Sequence, residues 1–152
     1  MMPPLNLPAC NVALRDEDGK TWVLDVLRRK YVVLTPEEWV RQHFIQLLIG
    51  PGGYPRTLLR TEAGLHVNRQ ARRSDLLAYD RAGRPYLLVE CKAPTVALAP
   101  QVFEQAARYN YTLRAPFLAV TNGMETRCWA FDGTTGRYAI QAQLPPFADS
   151  EL

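Results

Sequence analysis

Ser74-Asp75-Leu76-Leu77-Ala78-Tyr79-Asp80-Arg81-Ala82-Gly83-Arg84-Pro85-Tyr86-Leu87-Leu88-Val89-Glu90-Cys91-Lys92 is the stretch on which the fold turns. Two apolar, strand-like runs flank a polar turn containing Gly83 and Pro85, the pattern of a β-hairpin. Such a hairpin delivers Asp75, Glu90 and Lys92 to one edge of a sheet. Side chains alternate along a strand with period two, so Glu90 and Lys92 share a face and Cys91 takes the other. The second run is almost continuously apolar, as in a central strand buried on both faces. A Glu and a Lys closing such a strand are out of place unless they are paired or bound to something. Two carboxylates, Asp75 and Glu90, suit a hard divalent cation such as Mg²⁺ or Mn²⁺. A metal beside the Lys92 ammonium is what activation of water next to a phosphodiester requires. The plainer alternatives are an ion pair of Lys92 with Glu90 or Asp75, and Asp75 as a turn cap.

Working outward, Thr35-Pro36-Glu37-Glu38 predicts a helix start. Thr35 can cap, Pro36 fits the first position, and the two acids favour the positive end of the dipole. The helix should run to about Ile49, burying Val40, Phe44, Leu47 and Leu48, and stop at Gly50-Pro51-Gly52-Gly53. Glu38 is either the return half of a capping box or a further oxygen for the metal, direct or through water. A second helix is expected from about Pro100 to Tyr111. Gln105 and Tyr109 lie four apart on it, with Gln101 one turn earlier. They make a polar strip that orients Lys92 or touches a phosphate; the plainer reading is surface glutamines and a half-buried tyrosine. Strands are expected at Asn11–Arg15 and Lys20–Val26 around Asp18-Gly19, then at Arg28–Leu34, Arg56–Glu62, Leu65–Asn68, Pro116–Thr121, Arg127–Phe131 and Gly136–Ile140. The order implies an α/β (α+β) domain with a mixed central β-sheet flanked by helices. The expected division is an N-terminal tail and β element at 1–19, the domain proper at 20–140 and a C-terminal tail at 141–152. Pro145-Pro146-Phe147 would dock on a partner or fray.

The chain has 152 residues, the size of one ordinary domain. Apolar residues make up 47% and charged residues 22%, which excludes a disordered chain. No apolar run is long enough to span a bilayer, and the start has no secretory-signal pattern. Cys10, Cys91 and Cys128 are widely spaced and form no C-x-x-C, so neither a zinc site nor a disulfide framework is suggested. A reducing cytoplasm is the expected setting. The net charge of +3 hints only mildly at an anionic partner. Its distribution says more: Arg69, Arg72 and Arg73 crowd the approach to Asp75, and Arg81 and Arg84 sit in the turn. Beside the carboxylates these suggest phosphate binding; the alternative is a solvated loop. His43 and His66 read as structural. No phosphate-binding P-loop and no G-x-S-x-G elbow is present.

Five blocks in order carry a resemblance: Thr35-Pro36-Glu37-Glu38-Trp39-Val40-Arg41-Gln42, Arg72-Arg73-Ser74-Asp75, Val89-Glu90-Cys91-Lys92-Ala93-Pro94, Gln105-Ala106-Ala107-Arg108-Tyr109 and Thr121-Asn122-Gly123. Over about residues 20–135 the chain resembles the N-terminal nuclease domain of the R subunit of type I restriction enzymes, in the RecB-like Q-x-x-x-Y branch of the PD-(D/E)XK superfamily. The resemblance implies a restriction-endonuclease-like core and Mg²⁺-dependent cleavage of DNA. It implies Asp75 and Glu90 as metal ligands, Lys92 as the residue that positions or helps deprotonate the attacking water, and Glu38 as the acidic residue of the first helix. It also implies Gln105 and Tyr109 as support for the DNA-contacting site, while Arg72 and Arg73 are the expected backbone contacts. Ser74 stands where the family motif has proline. No helicase motor is present in these residues, so a stand-alone form is expected, acting on DNA, with a homodimer or other restriction or defence subunits as partners and no membrane. The alternative is a non-catalytic nucleic-acid-binding or assembly module that keeps the nuclease fold. A third reading is a structural domain with a strand-edge ion pair.

Overall fold

The computed structural model describes residues 2–61, 66–67, 70–71 and 75–147, with the backbone alone at 66–67, 70–71 and 75. Asp18 and Gly19 both take left-handed φ values, 55° and 76°, as a two-residue hairpin turn demands. They join β1 (Leu14–Glu17) to β2 (Lys20–Asp25), and β3 (Lys30–Val33) completes a three-stranded antiparallel sheet. Helix α1 (Pro36–Ile49) then runs between the expected limits. The Glu38 amide donates to Thr35 Oγ1 at 3.0 Å. The return half of the capping box does not form, because the Glu38 carboxylate turns to Arg41 and Gln42 instead.

The strand expected at Arg56–Glu62 is shorter than its apolar pattern suggests. The Leu58 amide bonds back to the Pro55 carbonyl at 3.0 Å, coiling Arg56–Leu58 into a 3₁₀ turn before β4 (Leu59–Thr61). A small pair follows, β5 (His66–Val67) with β6 (Gln70–Ala71); the rest of the strand expected at Leu65–Asn68 lies outside the described residues. The hairpin forms as expected, with β7 (Asp75–Tyr79) and β8 (Pro85–Cys91). Its turn is set by Asp80, whose Oδ1 accepts the amides of Ala82 and Arg84, both at 2.9 Å. Those bonds, the Arg84 amide foremost, hold its carboxyl below the usual carboxylate range. Helix α2 (Pro100–Leu113), β9 (Phe117–Thr121), β10 (Thr126–Asp132) and β11 (Arg137–Gln141) complete the order.

The main sheet has six strands in the order β11-β10-β9-β8-β7-β4. Every pairing is antiparallel except β8 with β9. A parallel pair needs a crossover, and α2 supplies it. Alternation then sorts the core into two layers. Leu76, Ala78, Leu87, Val89, Cys91, Ala119 and Cys128 meet Val40, Phe44, Ile45 and Leu48 of α1 on one face. Leu77, Leu88, Leu118 and Val120 meet Ala106 and Tyr109 of α2 on the other. The fold is therefore the expected mixed sheet flanked by helices. The C-terminal Pro145-Pro146-Phe147 neither frays nor stands away. Tyr54 and Tyr86 donate their hydroxyls to the Pro145 and Pro146 carbonyls at 2.7 and 2.8 Å. The Phe147 ring packs edge-on against Tyr54, with centroids 5.5 Å apart.

Candidate active site

The end of β8 carries the candidate chemistry. Glu90 falls between Val89 and Cys91, which belong to the α1 layer, so it takes the α2 face with Leu88. It is buried, at 1% exposure. The backbone ladder continues past β8: the Lys92 amide donates to the Thr121 carbonyl at 2.8 Å. That bond fixes Lys92 two residues beyond Glu90, on the same face. The Lys92 ammonium lies 3.2 Å from Glu90 Oε2, and its side chain keeps 22% exposure, so it is open to solvent. Across the hairpin, Asp75 is the Cα partner of Glu90. Directly opposed residues in an antiparallel pair stand about 4.5–5.5 Å apart at Cα. Hydrophobic alternation on both strands fixes this register, since a slip of one would turn Leu76 and Leu77 to the wrong layers.

Tyr109 is buried in the α2 layer beside Leu88 and Val120, the two backbone neighbours of Glu90 on that face. Gln105 and Gln101 are exposed. The polar strip expected from their spacing is therefore divided. Each four-residue step advances about 40° round a helix, so Gln101 and Tyr109 point about 80° apart, one outward and one into the core.

Glu38 belongs to a different layer. It sits on α1, which packs against the Cys91 face, and its two carboxylate oxygens are both engaged. Oε1 pairs with Arg41, and Oε2 accepts from Gln42 Nε2 at 2.8 Å. All three residues are buried. Arg41 Nε and Nη1 have no partner among the described residues. Gln42 Oε1 in turn accepts the Val26 amide at 3.4 Å. Arg41 and Gln42 were not singled out by chemistry in the sequence. The signal available was their position three and four residues after an acid on one helix.

Arg69, Arg72 and Arg73 lie outside the described residues. Arg81 and Arg84 do not accompany the carboxylates. They occupy the turn at the other end of the hairpin, some five residues along the strands, roughly 16 Å away. There Arg84 Nε pairs with Asp80 at 3.0 Å and the Arg81 guanidinium lies over the Phe147 ring at 5.3 Å. His43 Nδ1–H donates to the Trp39 carbonyl, 2.8 Å away, and its ring meets Trp39 edge-on, a structural role. His66 is described by its backbone alone. Cys91 is buried in the α1 layer, as alternation predicts. Burial pushes the neighbouring Cys128 thiol up to about 11, so it is a core residue without thiolate character. Thr121-Asn122-Gly123 is a fastening. Asn122 Oδ1 accepts the Met124 and Glu125 amides, and its Nδ2 reaches the Val96 carbonyl at 2.8 Å, tying the loop after β8 to the β9–β10 turn.

Two helices on opposite faces of a mixed six-stranded sheet, with a buried carboxylate and an ammonium at the end of its central strand, define an α/β domain with a sheet-edge site. The family model for the Type I restriction enzyme R protein N terminus (HSDR_N) matches residues 36–145, most of the chain, and the chain belongs to that family. The match begins at α1 and leaves β1–β3 outside it. No curated protein and no solved structure matches the chain. Among the described side chains no group of three or more His, Cys, Asp or Glu gathers that could hold a metal ion. Among the described residues no helix is long and apolar enough to cross a membrane.

Proposed function

We propose that the chain is a metal-dependent endonuclease domain of the PD-(D/E)XK type that hydrolyses phosphodiester bonds in DNA. The observation that carries this reading is the end of β8: a buried Glu90, the Lys92 ammonium 3.2 Å from it and open to solvent, and Asp75 directly opposed in register. The donor chemistry fits Mg²⁺ or Mn²⁺, because Glu90 supplies hard carboxylate oxygen at a dry sheet edge, and Asp75 brings a second carboxylate to the same rung. Asp75 and Glu90 would hold the ion, which supplies Lewis-acid activation of water when bound. Lys92 holds the attacking water by hydrogen bonding and places positive charge where the phosphate becomes more negative. Tyr109 lines the wall beneath this edge, and Gln105 and Gln101 offer amides on the exposed turn of α2. Arg72 and Arg73 contact the DNA backbone, which adds affinity and not sequence preference. Glu38 acts from the α1 layer through Arg41 and Gln42.

The partners we propose are DNA and other restriction or defence subunits, with a second copy of the chain where both strands are cut, in a cytoplasmic setting. The Glu90–Lys92 pair also favours a second reading, since a mutually satisfied ion pair is what a non-catalytic nucleic-acid-binding or assembly module with this fold would keep. Cleavage of supercoiled and of linear single- and double-stranded DNA with Mg²⁺ or Mn²⁺, beside Lys92→Ala and Asp75→Ala, separates the two. Metal-dependent cutting lost in both variants supports the nuclease. Equal cutting by the variants, or none by the intact chain, moves the reading to the binding module.

A further inference from the structure

A cleft of about 340 Å³ opens where the β2–β3 turn meets the segment leading into β4. Leu27, Arg28 and Arg29 line one side, and Arg56, Thr57 and Arg60 the other. No acidic residue lines it among the described residues. Two of the arginines are braced. Arg28 Nε is held at 2.8 Å by Asp25 Oδ2, and Asp25 is fully buried beneath it. Arg60 Nη1 donates to the Thr57 and Leu59 carbonyls at 2.7 and 2.9 Å. The other two, Arg29 and Arg56, are exposed, and their guanidiniums meet no acceptor among the described residues. Arg29 also sits at φ 59°, a left-handed conformation that costs a side chain roughly 1–2 kcal/mol and that Gly or Asn would adopt more readily.

Arginine forks crowded round one opening, with a single buried carboxylate among them, repel one another unless an anion joins them. A guanidinium matches a phosphate bidentately. The space equals the liquid volume of about eleven waters, room for a hydrated phosphate. We infer that this cleft binds the phosphodiester backbone of a nucleic acid, at a site separate from the Glu90–Lys92 edge. It rests on the DNA-binding part of the function proposed above and not on cleavage. Its place suits that reading. Arg60 pairs with Leu77 on β7, and β7 places Asp75 opposite Glu90. Two strands across and two residues along put the Arg60 backbone about 12 Å from that of Glu90, about three to four base steps along a strand of duplex. Arg28 and Arg29 come from the part of the chain outside the family match, and Arg56 and Arg60 from inside it.

The test is fluorescence anisotropy of a labelled DNA duplex at several salt concentrations, in EDTA so that cleavage does not enter. The full chain is compared with Arg29→Gly/Arg56→Ala and with a charge-matched control, Arg15→Ala/Arg137→Ala. Glycine suits the φ of residue 29, so the first variant keeps its fold. The dependence of log affinity on log salt should flatten by about 1.8 in the cleft variant, two phosphate contacts at about 0.9 each, and by less than 0.5 in the control. Equal loss in both variants, or unchanged binding by the cleft variant, overturns the cleft while leaving the nuclease standing. Absence of any DNA binding by the intact chain overturns it too, and the cleavage assay in Mg²⁺ then judges the nuclease by itself.

Discussion

Glu38→Ala should be among the most destabilising single changes in the molecule. Arg41 is 3% exposed. Of its donors only Nη2 meets an acceptor among the described residues, and that acceptor is Glu38. Removing the carboxylate leaves a buried guanidinium with no counter-charge and frees Gln42 Nε2 as well. Breaking a buried pair from one side costs about 3–5 kcal/mol, a large part of the roughly 5–15 kcal/mol that holds an ordinary domain folded. The unfolding entropy of 152 residues is roughly 0.3 kcal/mol/K, so Tm should fall by about 10–15 °C. Replacing both partners removes charge and counter-charge together, and Glu38→Leu/Arg41→Met should lie within about 1 kcal/mol of the intact protein. The assay is urea unfolding of the intact chain, both single variants and the double, read as a coupling energy. A cost under 1 kcal/mol for Glu38→Ala, or a double variant as unstable as the single, would refute the reasoning. The double variant also separates roles: if it folds but no longer cuts DNA that the intact chain cuts, Glu38 serves the chemistry and not only the fold.

Lys92→Met should lower metal-dependent nicking of supercoiled DNA by about 10²–10³-fold; retained nicking by the folded variant would remove Lys92 from the chemistry. Gly123→Ala should cost about 2–3 kcal/mol in urea unfolding, since residue 123 holds φ 84° and a Cβ there would lie 2.8 Å from Leu5 Cδ2 and 3.1 Å from Val40 Cγ2; a loss below 1 kcal/mol would mean the Leu5 side chain simply shifts. Burial opposes ionisation of Asp25, but bonds from the Arg28 side chain and from the Arg28 and Leu27 amides outweigh it and hold its carboxyl below the ordinary value. Its contribution is therefore present above the unfolded-state pKa of about 4 and is lost as pH falls through the folded value. The stability gap between the intact chain and Asp25→Asn should narrow on acidification below pH 4, and a gap constant from pH 7 to 2 would contradict this.

What was legible in the sequence was local. Thr35, Pro36 and the glycines after Ile49 set both ends of α1 because capping and termination act within a turn. The hairpin register was readable because its two buried faces leave one alignment. What failed involved distance through space. Arg81 and Arg84 are close to Asp75 along the chain, yet the hairpin carries them to its far end. Phe147 looked like a tail because its contacts, Tyr54 and Tyr86, lie far away in sequence. Glu38 fitted a capping box because local spacing cannot show that Arg41 and Gln42, one turn on, compete for the same carboxylate in a buried layer.

Gln42 shows how the part of the chain outside the family match is joined to the part inside it. Its Nε2 donates to Glu38 and its Oε1 accepts the amide of Val26. Val26 follows Asp25 at the end of β2, and Asp25 organises the turn that carries Arg28 and Arg29. One buried amide thus links the acidic residue of α1 to the arginine turn of the three-stranded sheet. An apolar residue at 42 would fill the same volume but leave the half-buried Val26 amide and a buried Glu38 oxygen without their partner, and the second omission is the costly one. The requirement for a polar residue at that position is therefore a requirement on α1 and the three-stranded sheet at once. It ties the orientation of the arginine turn to the helix that begins the family domain.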